Sequence, residues 1–143
     1  MKYEQMKKYL LDTHIIVWLL LKNNELSENI KEEIEYYQHI YYVSVVSLHE
    51  IILLKEIKRI KTEKTISEII NDIKEYNINI LDIKGNHIET LERLSKPSFK
   101  NKPHEDPFDR VIISQGISEN MTVISADTRF PLYKDKGFNL REN

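Results

Sequence analysis

Apolar positions along the chain switch between two spacings, and the switching predicts strands and helices in turn. Lys8–Leu11 (KYLL) reads as a short strand, and Asp12 and Thr13 at its end can cap a following helix, Ile15–Leu21. That helix is apolar all round and is therefore expected to be buried. Leu26, Ile30, Ile34 and Tyr37 recur at helical spacing behind Ser27, and Tyr41–Val43 gives a second strand. Ser44–Lys61 is the longest predicted helix, on which Glu50 is followed at i+3, i+4, i+7 and i+10 by Leu53, Leu54, Ile57 and Ile60. Glu50 should thus head an inward stripe. Ile66, Ile69, Ile70 and Ile73 mark a fourth helix, Asn79–Ile83 a third strand, and Ile88, Leu91 and Leu94 a helix ending near Ser95. Lys96–Pro103 (KPSFKNKP), with two prolines and three lysines and no periodicity, predicts a loop.

That loop leads into an Asp-Pro pair, in which Asp106 can cap free backbone N–H groups while Pro107 takes the first helical position. The helix should run from Pro107 to about Asn120. Counting from Asp109, positions i+3, i+4, i+7 and i+8 are Ile112, Ile113, Gly116 and Ile117, so Asp109 also heads an apolar stripe. Thr122–Ser125 (TVIS) suits a buried strand, with Asp127 two residues beyond it, and Phe138–Leu140 suits a last edge strand. Strands alternating with helices imply an α/β fold with a mainly parallel sheet covered on both faces. In such a sheet, strand ends and the following helix starts share one edge. Asp12 and Asp127 lie just past strands, and Glu50 and Asp109 are expected in the first turns of helices, so all four acids should converge at the carboxyl edge, where α/β ligands bind.

Composition narrows the chemistry. At 143 residues a single domain spanning 1–143 is expected, large enough to bury a core without staples. The absence of Cys excludes disulfides, thiol nucleophiles and thiolate metal sites, so any metal must take oxygen or imidazole ligands. Lys2, Lys7 and Lys8 ahead of an apolar run imitate a signal peptide, but Asp12 and His14 interrupt the run and no small-residue cleavage site follows Leu21. Ile15–Leu21 is far too short to cross a bilayer. The expectation is a mature chain starting near Met1, soluble and cytoplasmic. Net charge is −2, from 23 acids and 21 bases, which by itself argues against a general nucleic-acid binder. Setting four of those acids aside for a cation leaves 19 against 21 bases.

Carboxylates gathered in a partly buried pocket repel and resist ionisation, so the cluster needs a compensating charge. A hard divalent cation supplies it: Mg²⁺ or Mn²⁺ prefers oxygen ligands and keeps room for water and phosphate oxygens, which suits phosphodiester hydrolysis. LLDTH around Asp12, SVVSLHE ending at Glu50, DPFDR with Asp109 and VISAD ending at Asp127 resemble the ordered acidic set of PIN-domain ribonucleases. LLDTH and HEDPFDR in particular resemble the VapC-type toxins of bacterial and archaeal toxin–antitoxin pairs. The resemblance spans nearly the whole chain. It implies a three-layer α/β/α sandwich around a five-stranded, mainly parallel sheet, Mg²⁺- or Mn²⁺-dependent endoribonuclease activity, homodimerisation, and inhibition by a small antitoxin. Carried over by position, Asp12, Glu50, Asp109 and Asp127 would be the catalytic, metal-binding acids. Ser125 falls where the family often has a supporting Thr or Ser, and Thr13, Asp106 and Arg110 would support the site beside it. Gly116 stands where Ala is more usual after Gln, which points to a local difference in helix packing.

Each acid also has a plainer reading. Asp12 could only cap a helix, Asp109 could complete a cap begun by Asp106, and Ser47-Leu48-His49-Glu50 fits the S-x-x-E capping box. Capping alone does not explain why Glu50 and Asp109 each head an apolar stripe. For Asp106 the N-cap is the better reading, with a water-bridged metal contact as the minor one. His49-Glu50 lacks the second His of the zinc signature, where Leu53 stands. A phosphatase of the haloacid dehalogenase type would need a second Asp where this chain has His14. His14 and His104 could line the pocket, with surface or packing roles the main expectation. The basic run Lys55, Lys58, Arg59, Lys61 and Lys64 reads as a solvated helix face, with RNA backbone contact as the minor reading. Tyr36, Tyr37, Tyr41 and Tyr42 could pack at a dimer or antitoxin surface or simply be partly buried. A non-catalytic PIN-like binding module is the rival to the enzyme, and four intact acids favour the enzyme.

Overall fold

The computed structural model describes residues 6–143, so the reading of the chain's first residues lies outside it. Five strands form one parallel sheet: β1 (Lys8–Leu11), β2 (Ile40–Ser44), β3 (Ile78–Leu81), β6 (Thr122–Ser125) and β7 (Asn139–Glu142), in the spatial order β3-β2-β1-β6-β7. β1 is central because both of its faces are apolar. Successive strand residues point to opposite faces, and Leu10 and Leu11 are each fully buried in a different half of the core.

Leu11 joins Ile15, Ile16 and Leu19 of α1 (Thr13–Leu20), Ile30 and Ile34 of α2 (Glu28–Glu35) and Ile69 and Ile73 of α4 (Ile66–Glu75). Leu10 joins Ile112 and Ile113 of α6 (Pro107–Ser118) and Phe130 and Tyr133 of a 3₁₀ helix (Phe130–Lys136). The α/β/α sandwich expected from the sequence is therefore present. α3 (Val45–Glu56) serves both halves, with Leu48 and Ile51 in the first and Val46 against the second.

Several boundaries differ from the sequence reading. α3 stops at Glu56 instead of Lys61, and Lys58 turns the chain with a left-handed φ of 61°. Its buried face is Ser47, Leu48 and Ile51; of the stripe below Glu50, Leu54 and Ile60 pack on the core, whereas Leu53 is 37% and Ile57 61% exposed. The cause lies at the start of the helix. The Ser44 hydroxyl accepts from Val46 N at 3.1 Å and caps α3 there, which puts Glu50 in the second turn and leaves Ser47 inside the helix. The capping box is instead on α4, where Thr65 and Glu68 exchange backbone-to-side-chain bonds of 3.2 Å.

β3 begins at Ile78, one residue earlier than Asn79, and ends at Leu81, leaving Ile83 exposed. In α5 (Gly85–Arg93), His87 is buried and Ile88 exposed. Tyr37 lies beyond α2 at φ 54°, and it and Tyr36 are exposed, while Tyr41 is buried. The lysine-rich loop contains a small antiparallel hairpin, β4 (Ser98–Phe99) with β5 (Lys102–Pro103), turned by Lys100 and Asn101, both at positive φ.

Gly116 answers the packing difference flagged by the sequence. A Cβ at this position would lie 2.7 Å from Val123 Cγ2. Val123 is a fully buried, stiff β-branched residue of β6, so α6 lies against the sheet at a separation only Gly permits. Gly116→Ala is therefore expected to lower stability by about 1–3 kcal/mol through overpacking, less the roughly 1 kcal/mol that Ala contributes to helix propensity. A thermal melt of the variant at or above wild type would show that the contact relaxes freely.

Candidate active site

Asp12 ends β1 and starts α1 in one step. Its N–H donates to Ile124 O at 3.0 Å, extending the sheet, while its Oδ1 accepts from Thr13 N at 2.7 Å as the helix cap. Its Oδ2 accepts from Ser125 Oγ at 2.8 Å, and Ser125 Oγ in turn accepts from Asp127 N at 3.0 Å. One hydroxyl thus ties the ends of two neighbouring strands. Asp12 is 4% exposed. Burial pushes its carboxyl up to about 6, against the Ser125 and Thr13 bonds that favour the ion, with Glu50 adding to the rise. The Thr13 hydroxyl donates to Ser47 Oγ at 2.9 Å, fixing α1 against α3 beside Glu50.

Asp109 sits in the first turn of α6 and is 6% exposed. Its N–H is capped by Asp106 Oδ1 at 3.0 Å, and its Oδ2 lies 3.1 Å from His104 Nε2. Burial, then repulsion from Asp12, Asp106, Asp127 and Glu50, pushes its carboxyl up to about 9. Glu50 is raised as well, by burial first, with Asp106 and Asp127 adding to it and Thr13 and His14 opposing. Its Oε1 is buried without a hydrogen-bond partner among the described residues. Asp127 differs from the other three. Burial would raise it, but Arg129 outweighs burial and the carboxyl is lowered. Arg129 donates from Nε to Oδ1 at 3.0 Å and from Nη2 to Oδ2 at 2.6 Å, and its backbone N donates to Oδ1 at 2.8 Å.

The four acids predicted from sequence are thus brought within electrostatic reach of one another, at the carboxyl ends of β1 and β6 and the near turns of α3 and α6. Among the described residues, however, no three acidic or imidazole side chains converge into a ready-made cation cage. Asp106 is the N-cap of α6. The Arg110 guanidinium points away from the acids, donating to Leu94 O at 2.6 Å, to Ser95 O at 3.4 Å and to Tyr133 Oη at 3.0 Å.

Two contributors were underrated or missed. His104, for which lining the pocket was the minor expectation, is buried, with Nδ1 2.8 Å from Tyr133 Oη and Nε2 on Asp109. Because Arg110 donates to the Tyr133 oxygen, the phenol proton goes to His104 Nδ1, and Nε2–H then donates to Asp109. Burial and the charges of Arg129 and Arg110 lower the His104 pKa, which keeps the ring in that neutral form. Arg129, the second, follows Asp127 by two residues, a spacing that suits an Asx turn but signals nothing about Asp109. Its Nη2 lies 3.7 Å from Asp109 Oδ2.

No curated protein sequence matches the chain significantly. Solved structures of similar fold include VapBC2 from Rickettsia felis bound to a DNA fragment from their promoter, at TM-score 0.65 and 19% identity over 94% of this chain and 98% of that one. DNA-bound VapBC from Salmonella typhimurium aligns at TM-score 0.63 and 19% identity over 96% and 98%. VapBC-1 from nontypeable Haemophilus influenzae aligns at 0.59 and 16% over 94% and 97%. At these identities the likeness is one of fold. The PIN domain family model matches residues 9–136, nearly the whole of the described chain, and with the parallel sheet and the ordered acids in place, the chain belongs to the PIN domain family.

Proposed function

We propose that this chain is a divalent-metal-dependent endoribonuclease, the toxin of a type II toxin–antitoxin pair, with Asp12, Glu50, Asp109 and Asp127 as its catalytic acids. The observation that carries the reading is the excess of acid at one sheet edge: Asp12, Asp109 and Glu50 all held above their ordinary pKa values, and Glu50 Oε1 buried without a partner among the described residues. An all-oxygen donor set of this kind suits a hard divalent cation such as Mg²⁺ or Mn²⁺. When bound, such an ion lowers the pKa of water and offsets charge on a phosphodiester.

The chain's own residues orient the acids. Ser125 and Thr13 N fix both oxygens of Asp12, and the Arg110–Tyr133–His104 chain aims a single N–H at Asp109. Asp106 closes the helix start so that Asp109 leaves α6 in a fixed direction. Asp106→Asn should accordingly retain most activity, since Asn caps about as well as Asp. A loss as severe as that of an Asp109 variant would move Asp106 from cap to ligand.

The neighbours are VapBC complexes, which supports an antitoxin protein as this chain's partner. A second copy of the chain, RNA as substrate and a cytoplasmic location complete the proposal. Among the described residues no helix is long and apolar enough to cross a membrane. A non-catalytic binding module with the same fold is the second reading, favoured by the salt bridge that already neutralises Asp127. Incubating purified protein with mixed cellular RNA, in Mn²⁺ or in chelator, separates the two. Cleavage in Mn²⁺ alone supports the enzyme, and intact RNA in both supports the module.

A further inference from the structure

The acid cluster carries one cation of its own. Arg129 holds Asp127 through a two-point fork, and the same Nη2 reaches toward Asp109 Oδ2 on α6, a separate element, at 3.7 Å. A permanent structural clamp explains only part of this. The turn after β6 is already closed by backbone groups, with Arg129 N on Asp127 Oδ1 at 2.8 Å and Phe130 N on Asp127 O at 3.2 Å. Neither bond needs the guanidinium, and the reach to Asp109 takes no part in the turn.

The anchoring is also divided along the residue. The backbone of Arg129 is fixed by fully buried Phe130 next to it, while the Arg129 side chain is 38% exposed and its Nη1 has no hydrogen bond among the described residues. A guanidinium so placed is held by its two charge-assisted hydrogen bonds to Asp127 and can leave without unfolding the turn. Its presence also matches the geometry of the acids. Asp127 is committed to Arg129, and no three ligating side chains converge among the described residues.

We propose that the Arg129 guanidinium is the resident counter-ion of the acid cluster, occupying Asp127 and Asp109 in competition with the divalent cation and releasing them as that cation binds. This rests on the acidic-site reading above and deepens it. Arg129 is then a positioning residue that sets how readily the site loads. The physical ground is simple: a positive charge within about 4 Å of a carboxylate favours its ionised form while repelling a second cation drawn to the same oxygens. Once displaced, the guanidinium is a planar donor suited to phosphate oxygens at the mouth of the site.

The test is calorimetric titration of Mn²⁺ into the wild type, Arg129→Gln and Arg129→Lys, with a thermal melt of each in chelator. Removing the competing charge should tighten Mn²⁺ binding by about tenfold in Arg129→Gln, the low end of what one neighbouring charge is worth. The same variant should melt below wild type in chelator, because the half-buried Asp127 carboxylate loses its partner. Arg129→Lys keeps the charge but not the fork, and should bind Mn²⁺ within about threefold of wild type. Opposite changes in affinity and metal-free stability are what a purely structural clamp would not produce. Unchanged or weaker Mn²⁺ binding by a folded Arg129→Gln protein overturns the inference and makes Arg129 a support for Asp127. If none of the three proteins takes up Mn²⁺, the acidic-site reading itself fails, and the counter-ion role falls with it.

Discussion

Asp12→Asn is expected to cut RNA at least ~100-fold more slowly than wild type, while folding normally. Removing an outer partner that merely orients a metal ligand typically costs ~10–100-fold, which makes ~100-fold a floor for a ligand itself. Ser125 is such a partner here, donating to Asp12 Oδ2. The amide is a poorer ligand because it is uncharged and presents one oxygen, not two. The fold should tolerate the exchange. An Asn oxygen can still accept from Thr13 N and cap α1, and the Ser125 hydroxyl can rotate to accept from the amide while Asp127 N also points to it. The paired measurements are cleavage of a labelled RNA and a circular-dichroism melt. Wild-type cleavage by a well-folded variant would remove Asp12, and with it the proposed centre.

Asp109→Asn should produce the largest effect on stability, and in an unusual direction. The native carboxyl titrates at about 9, whereas in the unfolded chain it titrates near its ordinary 3.8. Between those values the native state holds a proton that the unfolded state has lost. The stability contributed by Asp109 is thus fully present below about 3.8 and is lost progressively as pH rises toward 9. Asp12 adds the same sense of change between 3.8 and about 6. In chelator the wild type should therefore lose stability from mildly acid to alkaline pH. At neutral pH the Asp109 penalty is largely in force.

An Asn at 109 is nearly isosteric with the protonated acid, can still accept from His104 Nε2–H, and never ionises. It should melt at or above wild type in chelator at neutral pH, each kcal/mol of relieved penalty raising the midpoint by roughly 2–4 °C in a chain of this size. Added Mn²⁺ should raise the wild-type midpoint by binding the native state, and the variant's much less. A variant strongly destabilised in chelator that gains as much from Mn²⁺ as wild type would mark Asp109 as a structural cap.

What the sequence made legible, and what it did not, follows from which forces act locally. β1 and β6 read correctly to the residue because strands covered on both faces must be short apolar runs, as KYLL and TVIS are. The start of α6 was legible because Asp-Pro carries its own stop and start chemistry. α3 was overrun because no Gly or Pro marks its end. Lys58 supplies the left-handed turn, and Ile57 imitates a core position while standing in solvent. The hairpin at Lys100-Asn101 was hidden for the same reason, a positive-φ pair without Gly.

At the site, the four acids could be placed by topology, since strand ends and helix starts share an edge. Their neighbours could not be. His104 meets Asp109 only because the chain returns from the hairpin to the α6 start with its ring turned inward onto Tyr133, 29 residues on. The Arg129 contact to Asp109 crosses from the end of β6 to the start of α6. Such contacts depend on tertiary packing, which no local spacing encodes.

The central claim is that Asp12, Glu50, Asp109 and Asp127 form one divalent-cation site, and titrating Mn²⁺ into the wild type and into Asp12→Asn, Glu50→Gln, Asp109→Asn and Asp127→Asn in turn tests it most directly. The account predicts saturable binding by wild type and a marked loss in every one of the four folded variants. Uptake undiminished in all four, or no uptake by wild type, would contradict it.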